Sequence, residues 1–350
     1  MYKRQILIWL GNPNYTRQPD AHFLYEARYR GAKVVAVCPD FSPSTLHADR
    51  WLNPRQGTDA ALTLGMAHVL VEEDLYDADY VKEQTDLPFL VREDNGRFLR
   101  ESDVEEGGAE DQFYFWNAAT GKKQLATGTW GSEVMTIALD DETDPALEGS
   151  HRVRLVDGAR VKVRPVFELL KAHLAEYTPE RAAEITGVPV STIRRITREH
   201  GEAARIGASI EIDGRSLPLR PAAVDFKRGV NAHKNSLFNC FSLQLINIVL
   251  GAMDVPGGLL GTNAIGPYSY WRASAGKDGL ITTDVFKLAR TAAFQSSYPP
   301  REVKPPEALN LEGLFPLSGF LPSLPHYSMR DPERFRLPYR PSALVMCRTN

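Results

Sequence analysis

Two short runs, Ile6–Leu10 ("ILIWL") and Lys33–Cys38 ("KVVAVC"), are apolar at almost every position and flank one helix-length segment. A strand that is apolar on both faces needs cover on both faces, as in a parallel sheet built from strand–helix–strand units. The segment between the runs supplies the crossover. Pro19-Asp20 opens a helix, Phe23, Leu24 and Ala27 share one face of it, and Gly31 stops it. A second helix, Ala60 to about Val71, follows the loop "FSPSTLHADRWLNPRQGTD", with Thr58 as N-cap and Asp59 in the positive first turn. This order predicts an α/β fold with a doubly wound, mostly parallel sheet over residues 6–88.

The pattern changes after Pro88. Residues 89–166 read as a β-rich insertion, with turns at Asn95-Gly96, Thr120-Gly121 and Asp157-Gly158 between alternating runs. Residues 167–261 read as a helical α/β continuation. It contains a helix from Thr178-Pro179-Glu180 broken at Gly187, a second from about Ser191, and a long apolar helix from Leu237 to about Met253. Short strands are expected in "RIGASIEIDGRSLPLRP". Residues 262–340, rich in Gly, Pro and aromatics, read as extended loops, and 341–350 as the start of another α/β strand.

Composition narrows the function. The 350 residues carry a net charge of −3, so a polyanion-binding surface is not indicated and nucleic acid is not an expected partner. The helix pair at 178–200 therefore reads as a structural pair rather than a DNA reader. No apolar run reaches the roughly 18 residues of a membrane span, and "MYKRQ" leads into too short an apolar stretch for a signal peptide. Cytoplasm and periplasm both remain open. Cys38, Cys240 and Cys347 form no Cys-x-x-Cys pair and read as buried thiols.

Three loops carry candidate chemistry: Gly11-Asn12-Pro13 through Thr16, Cys38-Pro39-Asp40, and Arg55-Gln56-Gly57-Thr58-Asp59. Each lies at a strand's carboxyl end or a helix start, where an open parallel sheet binds ligands. Gly11 allows close backbone approach to a diphosphate, and Thr16 offers a hydroxyl. Asp40 stands where a ribose-binding acid stands, and Asp59 is an acceptor for a purine amino group. Taken singly, each is an ordinary turn or cap; their joint order points to a dinucleotide. Gly-x-Gly-x-x-Gly is absent, since "GNPNYT" follows the first strand, which disfavours NAD and flavin. A protein of α/β fold that binds a mononucleotide at the same strand ends is the alternative reading.

"LGNPNYTRQPDAHFLYEARYRGAKVVAVCPDFSPSTLHADRWLNPRQGTDAALTLGMAHVL" resembles the third-domain signature of the molybdopterin oxidoreductases. That is the dimethyl sulfoxide reductase family, and its nitrate reductase-like branch in particular. Gln56 replaces the usual Pro before Gly57. The likeness is specific over 6–72 and continues loosely through "YTPERAAEITGVP", "RGVNAHKNS" and "LGAMDVPGGLLG". It implies a molybdenum or tungsten ion held by two molybdopterin guanine dinucleotides, serving two-electron redox or oxygen-atom transfer on a small substrate. Carried over, the resemblance places Gly11, Asn12, Thr16, Cys38, Pro39, Asp40, Gly57 and Asp59 at one guanine dinucleotide. It places Asn231 and His233 near a pterin; a solvated His233–Lys234 pair capping the next helix is the equal alternative. "ALVMCRTN", ending at Asn350, resembles the start of the second dinucleotide site. The resemblance further implies a central fragment of a catalytic subunit, inactive alone. A [4Fe–4S] cluster and the metal's protein ligand would lie upstream, and an iron–sulfur electron-transfer subunit and a membrane anchor are the implied partners.

Overall fold

The computed structural model describes residues 3–126, 136–226, 228–231, 236–259, 273–275 and 281–283. The chain divides into two compact units, 1–262 and 263–350. In chain order the first unit opens with β1 (Gln5–Trp9), α1 (Pro13–Thr16), α2 (Gln18–Tyr29), β2 (Lys33–Val37), α3 (Pro43–Leu46), β3 (Arg50–Leu52) and α4 (Asp59–Glu72). Next come α5 (Ala78–Gln84), β4 (Leu90–Arg92), α6 (Glu101–Val104), β5 (Tyr114–Asn117), β6 (Lys122–Leu125), β7 (His151–Arg154) and β8 (Arg160–Pro165). Then follow α7 (Val166–Leu174), α8 (Pro179–Thr186), α9 (Val190–Ala204), β9 (Ser209–Ile212), β10 (Arg215–Pro218), β11 (Ala222–Phe226), a 3₁₀ turn (Arg228–Asn231) and α10 (Ser236–Val249). In the second unit the described residues form one antiparallel pair, β12 (Ala273–Ala275) with β13 (Ile281–Thr283).

The central sheet is parallel, in the order β11-β1-β2-β3. Its strands alternate between two apolar clusters, as a period of two requires. Leu7, Trp9, Val35 and Val37 pack in one cluster with Leu62, Met66 and Leu70 of α4, Ile193 and Ile196 of α9, and Leu243 and Ile246 of α10. Ile6, Ile8 and Val34 pack in the other, with Ala27 and Leu24 of α2. Helix α4 is apolar around most of its circumference because it lies beneath the sheet and against α8, α9 and α10.

The expected turns at Asn95-Gly96, Gly121 and Asp157-Gly158 each carry a left-handed glycine. Between them β4, β8 and β7 form an antiparallel sheet, and β5 pairs with β6. Helix α8 begins as its sequence indicates, with Thr178 Oγ1 accepting from Arg181 N. It packs with α9 against α4, which makes the 178–200 pair part of the core.

Four sequence readings change. The segment 41–58, read as loop, holds α3 and the edge strand β3. Strand β11 went unrecognised, although it pairs with β1 along its full length. Helix α10 stops at Val249 rather than near Met253, because Gly251 turns the chain at φ +62°. Cys38 is buried, but Cys240 is only half-buried.

Two polar devices hold the unit together. Asn247 of α10 accepts from Val224 N (2.9 Å) and donates to Val224 O (3.0 Å), so its amide pairs with the outer edge of β11 as a strand would. Asp77 and Arg220 form a buried ion pair, their side chains 5% and 8% exposed. Asp77 Oδ1 also accepts from Tyr80 N to cap α5, and Arg220 donates to the carbonyls of Ala208 and Leu219. Shared hydrogen bonds of this kind are what make a buried charge pair tolerable. Among the described residues, no helix is long and apolar enough to cross a membrane.

Candidate functional site

The parallel register aligns Trp9, Val37 and Leu52, so the loops after β1, β2 and β3 leave from one edge of the sheet. Hydrogen bonds tie these loops to one another. Leu10 N donates to Val37 O (2.9 Å), Cys38 N to Leu52 O (3.1 Å), and Trp51 Nε1 to Cys38 O (2.9 Å).

The β1 loop turns at Leu10, which sits in the left-handed region at φ +46°. A non-glycine residue there is strained by roughly 1 kcal/mol or more, and such strain clusters where a loop is held for a purpose. Gly11 is buried, and Asn12 begins the one-turn helix α1. Asn12 Oδ1 accepts from Ser44 Oγ (2.7 Å), and Ser44 Oγ in turn accepts from Asn14 N. Asn14 Nδ2 donates to Pro43 O. The β1 loop and α3 are thereby one hydrogen-bonded unit. Thr16 is exposed, and its hydroxyl donates to Asn12 O (2.9 Å) inside its own turn.

In the second loop, Cys38 is buried and its Sγ donates to Asp40 O (3.1 Å). Pro39 is half-buried, and Asp40 is exposed. Among the described residues nothing hydrogen-bonds the Asp40 carboxylate. Beside it, Phe41 and Trp51 meet edge to face, their centroids 5.1 Å apart.

In the third loop, Gly57 is exposed with φ +76°, which a Cβ would strain. Thr58 occupies the N-cap of α4, but its hydroxyl donates to Arg55 O (2.6 Å) and makes no cap bond, contrary to the sequence reading. The loop is anchored elsewhere. Arg55 N donates to Thr186 O, and Arg55 Nη1 donates to the carbonyls of Glu184 and Ile185 at the end of α8. Asp59 is 3% exposed, and its Oδ1 accepts from the indole of fully buried Trp9 (2.7 Å). This bond pins the start of α4 to the end of β1.

The structure therefore brings Gly11, Asn12, Cys38, Pro39, Asp40, Gly57 and Asp59 to one edge. It also brings a fourth loop there. β11 runs parallel to β1, and the turn Arg228–Asn231 leaves its carboxyl end with Gly229 against Leu10. Asn231 lies in that turn; His233 and Asn350, and most of 262–350, lie outside the described residues. Sequence reasoning missed Trp9, Leu10 and Ser44, and gave no role to Arg55 or Gly229 within the segments it singled out. The signal for the last was "AAVDF" between Pro221 and Lys227, a short apolar run of the same kind as β1.

The model of the family "Molybdopterin oxidoreductase" matches residues 3–308. The perchlorate reductase subunit alpha of Dechloromonas aromatica (strain RCB) is 47% identical over 219 residues, covering 57% of this chain and 24% of that protein. The dimethylsulfide dehydrogenase subunit alpha of Rhodovulum sulfidophilum is 48% identical over 254 residues, covering 73% and 26%. The nitrate reductase alpha chain of Bacillus subtilis (strain 168) is 29% identical over 347 residues, covering 77% and 27%. The chain spans about a quarter of the length of these relatives.

Proposed function

Because this chain belongs to the molybdopterin oxidoreductase family, we propose that its sheet edge holds a pterin–guanine dinucleotide of a molybdenum or tungsten cofactor. The protein would then serve two-electron redox or oxygen-atom transfer on a small substrate. The observation that carries this reading is the convergence of the loops after β1, β2 and β3, locked by the Leu10–Val37, Asn12–Ser44 and Trp9–Asp59 hydrogen bonds. Helices on both faces of the parallel sheet support the doubly wound arrangement expected for such a site.

The groups on this edge fit a nucleotide. Asp40 offers an exposed carboxylate to accept from ribose hydroxyls. With Oδ1 of Asn12 engaged by Ser44, its Nδ2 is turned to donating, which suits a phosphate oxygen. Gly57 brings backbone to the surface without a side chain, and Gly11, though buried, leaves its loop without a side chain in the way, as close approach to a diphosphate requires. Asp59, held by Trp9, is a fixed acceptor beneath the site. Thr16 and Cys38 contribute shape rather than reach, since the hydroxyl and thiol bond within their own loops. The redox chemistry belongs to the bound metal; these residues bind and orient what carries it.

Asn231, with His233 following it, is assigned to the pterin end, and Asn350 to a second dinucleotide. A [4Fe–4S] cluster in another part of the polypeptide, an iron–sulfur electron-transfer subunit and a membrane anchor are the associated parts. The curated relatives named above are alpha subunits or chains, which supports partner subunits. The non-molybdenum alternative is disfavoured by the family match.

The test is chemical analysis of the purified protein for molybdenum, tungsten and GMP released by acid hydrolysis. GMP should accompany the metal, and Asp40→Ala combined with Asn12→Ala should lower both several-fold. A folded double variant with unchanged metal and GMP would refute the assignment.

A further inference from the structure

Gly229 lies where the turn after β11 meets the end of β1. A Cβ built on Gly229 would stand 2.8 Å from Leu10 Cβ and 3.0 Å from Leu10 O. The φ of Gly229 is not in the left-handed region, so glycine is needed here for room and not for backbone freedom. Neither neighbour can yield easily. Leu10 is fixed by its hydrogen bond to Val37 O and by its own left-handed conformation. On the other side, Val230 is fully buried in the main core, and Asn239 Nδ2 donates to Val230 O.

We propose that Gly229 is a positioning residue for the nucleotide site. By carrying no side chain it lets the Arg228–Asn231 turn dock on the backbone of Leu10. The docking sets the spacing between that turn and the Gly11–Asn12 loop, so the two clamp one ligand from adjacent strand ends. The inference rests on the reading of this edge as a pterin nucleotide site. Ordinary carbon–carbon contact is about 3.5–4.0 Å, so an added methyl separates the two loops by on the order of 1 Å. A misplacement of that size in a binding site is costly, reaching about a hundredfold in the reactions where it has been measured.

The experiment compares the cofactor-loaded wild-type protein with Gly229→Ala, Leu10→Gly and the double variant Leu10→Gly/Gly229→Ala. Leu10→Gly removes the 2.8 Å clash and suits the left-handed position, leaving only the 3.0 Å contact with the carbonyl. The readouts are molybdenum and pterin fluorescence per chain after repeated gel filtration, with thermal unfolding in parallel. Gly229→Ala should lose cofactor roughly tenfold faster, and the double variant should return to within about twofold of Leu10→Gly alone. Retention by Gly229→Ala at the wild-type rate would overturn the proposal, as would a double variant that stays as leaky as Gly229→Ala. Should Gly229→Ala fail to fold, the double variant decides: retention supports the docking role and loss refutes it. A wild-type protein without pterin nucleotide is a separate failure, that of the site reading itself.

Discussion

His200 makes the stability of this chain sensitive to acid between pH 8 and pH 5. It lies on α9, fully buried, with Nδ1 2.8 Å from Gln5 Oε1 of β1. Its Nε2 and Gln5 Nε2 are buried without partners. Desolvation, and secondarily the nearby positive charge of Lys3, push the imidazole down to about 3. The sign follows from linkage. The unfolded chain takes up the proton below about pH 6.5 while the folded chain refuses it down to about 3, so stability falls as pH falls through that interval. Between pH 8 and pH 5 the loss is 2.303RT times about 1.5, or about 2 kcal/mol. The value depends on the unfolded-state pKa and hardly on the folded one, provided that lies below about 4. Carboxylates held low by arginines, such as Asp49 and Glu73, lose their contribution only at lower pH. Urea unfolding followed by far-ultraviolet circular dichroism at pH 8, 6 and 5 would measure the slope. In His200→Asn, which keeps a donor near the Nδ1 position without titrating, the decline from pH 8 to 5 should shrink by about 2 kcal/mol. Equal declines in both proteins would show that His200 is hydrated or charged in the native state, and would refute the argument.

Other perturbations have equally definite expected outcomes. Asp77→Ala leaves Arg220 charged and buried and should cost about 3–5 kcal/mol in urea unfolding, while Asp77→Leu/Arg220→Met should recover most of it. Asn247→Leu exposes no new surface but strips Val224 of two hydrogen bonds, and should cost about 2 kcal/mol with faster amide exchange at Val224. Asp59→Ala leaves the Trp9 indole N–H unpaired in the core and should destabilise by about 1–3 kcal/mol, with a shift in tryptophan emission.

Much of the α/β unit was legible because its first two strands are short, apolar throughout and separated by a helix-length segment. Lys33–Cys38 was legible as an unbroken apolar run, and the helix after Thr58 from its length and the acid in its first turn. The candidate loops stood out only jointly, because Gly, Asn or Asp at a single strand end ordinarily makes a turn or a cap. What escaped the sequence is long-range. Trp9 looks like any core aromatic until Asp59, fifty residues on, is placed beside it. Ser44 reads as part of a polar loop, and only the fold makes it the strut beneath Asn12. Thr58 obeyed the cap rule in position and not in bonding, because its hydroxyl is engaged by Arg55 O, in a loop that the Arg55 N–H and guanidinium tie to α8. β11 was overlooked because its apolar run is brief and its partner lies more than two hundred residues upstream.

The amide of Asn247 also bears on how the molecule behaves in a crowd. A parallel sheet has two exposed borders, and each is a template on which a foreign chain can polymerise. One border here is only three residues long. On the other, a side chain from the chain's own helix already occupies the central peptide group. Among the described residues, neither border of the sheet offers a long unpaired edge for such growth.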